Sequence, residues 1–162
     1  MLKLMFPAQI DNTYRGYWLA LLFYVPIVLM KFLMGFNVAG FNPWMSNLHI
    51  LKDVDAVPYD TFGAEAASLL ILFFASWGLG LLILSALGLV VLLRYRAMIP
   101  LMFVALTVEQ VGRVGLAKLY PIVRAVETHG VSTGTLVNWG LTAGLLIGLV
   151  LSLMERKKGP LG

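Results

Sequence analysis

The chain has 162 residues, of which 60% are hydrophobic and only 12% are charged. Because soluble domains carry about 25% charged residues, this composition excludes a protein whose whole surface faces water, and the lipid bilayer is its expected surrounding. The net charge is +4, but the basic residues are scattered at segment ends without a stripe of interleaved aromatics, so we expect no nucleic-acid partner.

Four apolar runs cover residues 16–36, 66–93, 98–120 and 135–154. Each run has the roughly 20 residues that a helix needs to cross the bilayer core, and none shows the alternation of a barrel strand. The sequence therefore predicts an all-α fold, a four-helix transmembrane bundle that forms one integral membrane domain over residues 1–162. The second run is about 42 Å long as a helix, and we expect it to tilt or protrude.

The linker after the first run predicts a short helix over residues 43–54, because Asn42 is a good helix cap and Pro43 suits the first helical position. Its apolar residues recur at helical spacing on one face, at Trp44, Met45, Leu48 and Leu51. We expect an amphipathic helix that lies in the membrane interface. Three roles are open for it: a cap on the bundle, a contact for a partner, and a lid over a substrate.

The third run carries Glu109, Gln110 and Arg113. A carboxylate or a guanidinium costs roughly 2.5–3.5 kcal/mol at the bilayer centre on insertion scales, so partners must satisfy these groups. Glu109 and Arg113 are four residues apart and can pair on one helix face, whereas Gln110 projects about 100° away. Polar partners on the other runs are few, namely Asn138, Ser76, Thr135, Thr142 and Lys31.

Among these partners, Asn138 is the most capable, because its amide group both donates and accepts hydrogen bonds. Lys31 lies near the end of the first run, and we expect its ammonium group to snorkel to the interface. The first interpretation of the cluster is an ion pair between Glu109 and Arg113 that sets helix register. A subunit contact, a ligand or substrate site and a proton relay are the alternatives.

The fourth run carries small residues at every fourth position, at Gly140, Gly144, Gly148 and Ser152. Such a face lets another helix backbone approach closely. The sequence predicts a helix-packing face here, against the first run, the third run or another chain.

Basic residues are distributed unequally between the two sides of the predicted bundle. Seven lie on the side of the chain termini and three on the opposite side, at Lys3, Arg15, Arg94, Arg96, Arg156, Lys157 and Lys158 against Lys52, Lys118 and Arg124. The positive-inside rule then places both termini in the cytoplasm.

Residues that carry catalytic or metal chemistry are scarce. The absence of cysteine excludes disulfides and cysteine-ligated metals, and both histidines, His49 and His129, lie outside the runs, where they cannot supply an axial haem ligand inside the bundle. No nucleophile or metal-binding motif is present. We therefore predict no catalytic residue, no metal and no cofactor.

The stretch Arg94-Tyr95-Arg96-Ala97-Met98-Ile99-Pro100, followed by Glu109-Gln110 and Arg113, resembles small bacterial inner-membrane proteins with four transmembrane helices and no assigned function. The resemblance implies a bacterial inner membrane and four spans, and no activity. The Glu109-to-Arg113 pattern is also similar to that of the MAPEG glutathione-dependent enzymes. Gly115, Leu116 and Ala117 replace the basic residues and asparagine of that family, so the similarity does not extend to its active site.

These features favour a non-catalytic accessory or assembly subunit of a membrane complex, built with other membrane proteins or as a homo-oligomer. The glycine face and the scarcity of catalytic groups motivate this hypothesis. A carrier of a small molecule or ion through the polar cluster is one alternative. A membrane enzyme that acts on a lipid-like substrate is the other.

Overall fold

The computed structural model describes residues 2–54, 57–121 and 133–154. The α-helices in chain order are α1 (Leu2–Met5), α2 (Leu19–Val38), α3 (Asn47–His49), α4 (Ala64–Arg94), α5 (Ile99–Leu119) and α6 (Thr133–Ser152). A π-helical turn, Ile50–Val54, continues α3, and 3-10 turns occupy Tyr59–Thr61 and Arg96–Met98.

Four of these helices, α2, α4, α5 and α6, are long and apolar enough to cross a membrane. The prediction of an all-α bundle with four spans is confirmed, and the chain is a multi-pass membrane protein. Observed helix ends lie within three residues of the predicted ends, because the length of each span follows from its own apolar run.

Local sequence explains where the spans end. Gly40 follows α2 with a φ of 80°, a conformation that glycine adopts without a Cβ penalty. Its amide donates to the Asn37 carbonyl, and the Phe41 amide donates to the Phe36 carbonyl, which closes the helix as a Schellman motif. Pro100 lies in the first turn of α5, where the missing amide hydrogen breaks no helical hydrogen bond.

The proximal end of the bundle is the end that holds residues 2–18, the α4–α5 turn and Ser152, and the distal end holds residues 39–63. Backbone hydrogen bonds tie the proximal segments together: the Ala97 amide donates to the Asp11 carbonyl at 3.3 Å, and the Tyr17 amide donates to the Leu151 carbonyl at 3.4 Å. The basic residues predicted to set topology at positions 124 and 156–158, and His129, lie outside the described residues.

Helix α2 is central to the bundle and packs on α4 and α6, while α5 packs mainly on α6. Helices α2 and α5 are therefore diagonal to each other and meet through long side chains. The Tyr24 ring packs edge-on against Phe103 with 5.1 Å between ring centroids. The buried Tyr24 hydroxyl donates to the Gly88 carbonyl of α4 at 3.0 Å. One aromatic residue thus joins three spans.

Glycines bring α2 and α4 close together. A Cβ atom added at Gly35 would lie 2.6 Å from the Leu82 amide nitrogen, and one added at Gly78 would lie 2.6 Å from the Val38 carbonyl carbon. Both obstructions are backbone atoms, so neither position has room for a side chain. This close approach orients α2 and fixes the direction in which its polar residue points.

The predicted small-residue face of α6 divides into packed and open positions. A Cβ atom at Gly144 would lie 3.1 Å from Ile27 of α2, and one at Gly148 would lie 2.6 Å from Cζ of the Phe103 ring of α5. Ser152 is buried, and its hydroxyl donates to the Leu149 carbonyl at 2.8 Å. At Gly140 an added Cβ would have no described atom within 4 Å.

We expect the substitution Gly148→Ala to lower the free energy of unfolding by about 1–3 kcal/mol, the usual cost of overpacking. The added methyl group would press on the Phe103 ring, which is already packed on Tyr24. The matched control is Gly140→Ala on the same helix, which should cost nothing. Unfolding of the purified protein by SDS in mixed micelles would measure the free energy of unfolding of both variants. Equal free energies for the two variants would contradict the prediction.

The interfacial helix begins later than predicted. It starts at Asn47, and its cap is Ser46, whose hydroxyl accepts a hydrogen bond from the Leu48 amide. The Asn42 side chain instead accepts from the Trp44 amide and forms a local turn, so the predicted start at residue 43 is wrong. Asn42 and Ser46 each accept a hydrogen bond from the amide two residues later, and only Ser46 is followed by helical backbone.

The apolar face predicted for this segment is likewise not continuous. Trp44 and Met45 precede the helix, and Trp44 is 92% exposed. Leu51 is buried and Leu48 is half-buried. Only the helical part of the segment therefore covers the bundle.

Candidate functional site

The polar cluster consists of Lys31 on α2, Glu109, Gln110 and Arg113 on α5, and Asn138 and Thr142 on α6. Glu109 is ten residues beyond the start of α5, about 15 Å along a helix of about 30 Å. The cluster therefore lies near the middle of the bundle. An intramembrane group of this kind is a functional-site hypothesis by default.

The expectation that Lys31 snorkels to the interface is wrong, whereas its place among the possible polar partners of the third run is confirmed. The Lys31 side chain is only 1% exposed, and its ammonium group donates to Glu109 Oε2 at 2.5 Å and to Gln110 Oε1 at 2.8 Å. It does not snorkel to the distal interface, because side chains on a helix tilt toward the N-terminus, which for α2 is the proximal end.

A signal for the inward position of Lys31 was present in the sequence. Several buried residues of α2 are three, four or seven positions away from Lys31, namely residues 24, 27, 28 and 35. A polar residue in register with such a stripe faces the bundle interior. The short distance from Lys31 to the end of the apolar run was a poorer indicator of where its side chain lies.

The carboxylate of Glu109 is shared between two cations. Oε2 accepts from Lys31, while Oε1 lies 3.4 Å from Nε of Arg113. That second contact is an ion pair without hydrogen-bond geometry, since both Oε1 and Nε are buried and have no hydrogen-bond partner among the described residues. The predicted i,i+4 ion pair is therefore present, but it is the weaker of the two contacts.

Gln110 connects the three helices of the cluster. The residue is fully buried, and its Oε1 atom accepts from Lys31 and from Arg113, each at 2.8 Å. Its Nε2 atom is 3.4 Å from Asn138 Oδ1 and 3.4 Å from the Thr142 hydroxyl. One amide therefore uses both its acceptor and its donor to link α2, α5 and α6.

Asn138 holds the guanidinium group from the side of α6. Its Oδ1 atom accepts from Arg113 at 2.9 Å, and its backbone carbonyl accepts from the Thr142 hydroxyl at 2.7 Å. Helix α4 contributes Trp77, whose ring centroid lies 5.4 Å from the Arg113 guanidinium carbon, a cation–π distance. All four spans thus contact the cluster.

The charges of the cluster do not cancel. Lys31 and Arg113 bring two formal positive charges, and Glu109 brings one negative charge. The only other acidic residue in α2, α4, α5 or α6 is Glu65, in the first turn of α4. The described cluster therefore holds one excess formal positive charge near mid-membrane.

Exposure within the cluster is unequal. Glu109 is 20% exposed and Arg113 is 26% exposed, in contrast to Lys31 and Gln110. Lys31 is buried and donates to Glu109 and Gln110, so the excess charge reaches the surface through Arg113. Its partial exposure makes Arg113 the cation of the cluster that a further anionic partner can reach.

Comparisons with known proteins add no family to this picture. No family model matches the chain, and no curated protein and no solved structure matches it either. Within the described residues, no group of three His, Asp or Glu side chains is placed to hold a metal ion. The chemistry available at the site is that of hydrogen-bond donors and a fixed positive charge, which suits recognition of an anion.

Proposed function

We propose that the protein is a non-catalytic accessory subunit of a membrane complex, and that it joins its partner through the polar cluster. The observation that carries the proposal is the excess positive charge of the cluster and its exposure at Arg113. An uncompensated charge in hydrocarbon is costly. A neighbouring chain that supplies an anion at this depth would remove that cost and gain a charge-assisted hydrogen bond.

We further propose that the complex lies in a bacterial inner membrane with both termini of this chain in the cytoplasm. The excess of basic residues in the proximal segments supports this orientation. The motif that begins at Arg94 and its resemblance to small inner-membrane proteins support the location.

Purification of the tagged full-length chain from native membranes in mild detergent would test the proposal. We expect it to migrate on a blue-native gel in a complex clearly larger than the 17.8 kDa chain. The variant Arg113→Gln should release the partner, whereas the control Arg94→Gln, at the proximal end of α4, should retain it. Migration of the unmodified protein as a monomer would contradict the proposal.

Transport of a small anion is the second candidate function, and the same excess charge favours it. In this case, proteoliposomes that contain the purified protein alone should show uptake of an anion such as phosphate or a small carboxylate. Uptake should fall at least tenfold in Arg113→Gln. Anion uptake by the isolated protein would favour a carrier over an accessory subunit.

A further inference from the structure

Small exposed residues flank the contact between Trp77 of α4 and Arg113 of α5 along the two helices. A Cβ atom added at Gly80 of α4 or at Gly112 of α5 would have no described atom within 4 Å. Ser76, one turn before Gly80, is exposed, and its hydroxyl donates to the Leu72 carbonyl of its own helix. The α4–α5 seam is the surface formed by Ser76, Gly80 and Gly112.

Helix geometry places this seam next to the excess charge. Trp77 contacts Arg113, and Gly78, 100° farther around α4, meets α2. Ser76 and Gly80 fall on the opposite side of Trp77, at about 100° and 60° from it. On α5, Gly112 lies about 160° from the inward-facing Gln110. An added helix at the seam would therefore approach the exposed part of Arg113 closely.

A second copy of this chain is a poor occupant of the seam. Its own cluster carries the same excess positive charge, and its acidic side chain at this depth, Glu109, is already bonded to Lys31. Two copies that met through this surface would place like charges together, which is costly in a low dielectric.

A lipid phosphate is a poor occupant as well. Arg113 is fourteen residues beyond the start of α5, about 21 Å along a helix of about 30 Å. Its guanidinium donates to Gln110, almost one turn back toward the proximal end. The group is thus directed toward mid-membrane and away from the distal headgroups.

We propose that the occupant of the α4–α5 seam is a transmembrane helix of a different protein, which carries an Asp or Glu side chain at mid-depth. This inference rests on the proposed function and specifies its partner. The carboxylate pairs with Arg113, and the small residues of the seam allow the two helices to pack closely. The positive charge of the cluster thereby favours a partner helix that carries a carboxylate.

Site-specific photo-crosslinking in native membranes tests the inference. A benzophenone amino acid would replace Phe73 or Val108 in the full-length chain, which are exposed large residues two turns before Gly80 and one turn before Gly112 on the same helix faces, with Leu33 and Val150 as exposed control positions on α2 and α6. We expect adducts at positions 73 and 108 to one protein, and at least tenfold less at the controls. Mass spectrometry should place the adduct in a transmembrane segment that contains an acidic residue.

Charge exchange then tests the pairing. Replacement of the partner's acidic residue by its amide should abolish the adduct, and Arg113→Glu combined with an arginine at the partner position should restore it. Gly80→Leu keeps the cluster intact but fills the seam, and it should release the partner, whereas Gly140→Leu on α6 should not. This second variant keeps the test valid if changes at Arg113 impair folding.

The outcomes separate the inference from the proposed function. A complex that forms normally but crosslinks only through Leu33 or Val150, or that survives Gly80→Leu, overturns the seam as the contact while the subunit role stands. Adducts to a second copy of this chain or to phospholipid overturn the identity of the occupant. Absence of any complex in mild detergent overturns both.

Discussion

Replacement of Glu109 by glutamine should lower the free energy of unfolding by about 3–5 kcal/mol, the usual cost of removing one partner from a buried ion pair. The change leaves Lys31 and Arg113 as two positive charges in contact with the same amide oxygen of Gln110. The buried Lys31 has no other acidic partner among the described residues. Glu109→Gln should therefore cost more than Lys31→Met, which leaves Glu109 beside Arg113.

The double variant Lys31→Met/Glu109→Gln provides the decisive comparison. Removal of both members of the pair eliminates the uncompensated ammonium, and so the double variant should be more stable than Glu109→Gln alone by at least 1 kcal/mol. SDS-induced unfolding of the purified protein measures all three variants. The control Glu65→Gln, at an exposed position in the first turn of α4, should be neutral. Additive losses in the double variant would refute the direct coupling of Lys31 with Glu109.

Substitution of Gly78 by alanine should lower the free energy of unfolding by about 3 kcal/mol, at the upper end of the cost of overpacking. The added methyl group would collide with the backbone of Val38 and Ala39, and backbone atoms cannot rotate away as a side chain can. The two helices would have to separate, which would also displace Lys31 from Glu109. The loss should exceed that of Gly148→Ala, where the obstruction is a phenyl ring.

Gly80→Ala is the matched control, because Gly80 is on the same helix two positions away and has open space beside it. Its unfolding free energy should equal or slightly exceed that of the unmodified protein, since alanine is the better helix former. The same SDS titration measures the unfolding free energy of both variants. A neutral Gly78→Ala would mean that α2 and α4 do not approach as closely as described.

Much of the fold could be predicted because each span depends on its own residues. A run of about 20 apolar residues forms a membrane helix wherever it occurs, and the four runs have ends within three residues of the observed helices. Local capping was less predictable, since Asn42 and Ser46 are both good caps and the chain uses only Ser46 to start a helix.

The candidate site could be predicted in part. The cost of polar groups in hydrocarbon pointed to Glu109, Gln110 and Arg113 and to a partner such as Asn138, and the structure brings these four side chains together. Lys31 was among the possible partners but was expected to reach the interface, because it lies near the end of the first run. Its position depends on how α2 is rotated against α4.

The sequence by itself determined that this protein crosses the membrane four times and that a carboxylate and a guanidinium lie in its third span. Those properties follow from local composition and from the fixed spacing of a helix. Only the tertiary structure decided that Lys31 is the main partner of Glu109, and hence that Arg113 carries the excess charge to the surface. The physical reason is that Gly35 and Gly78 set the approach of α2 to α4, and that approach aims Lys31 across the bundle at α5.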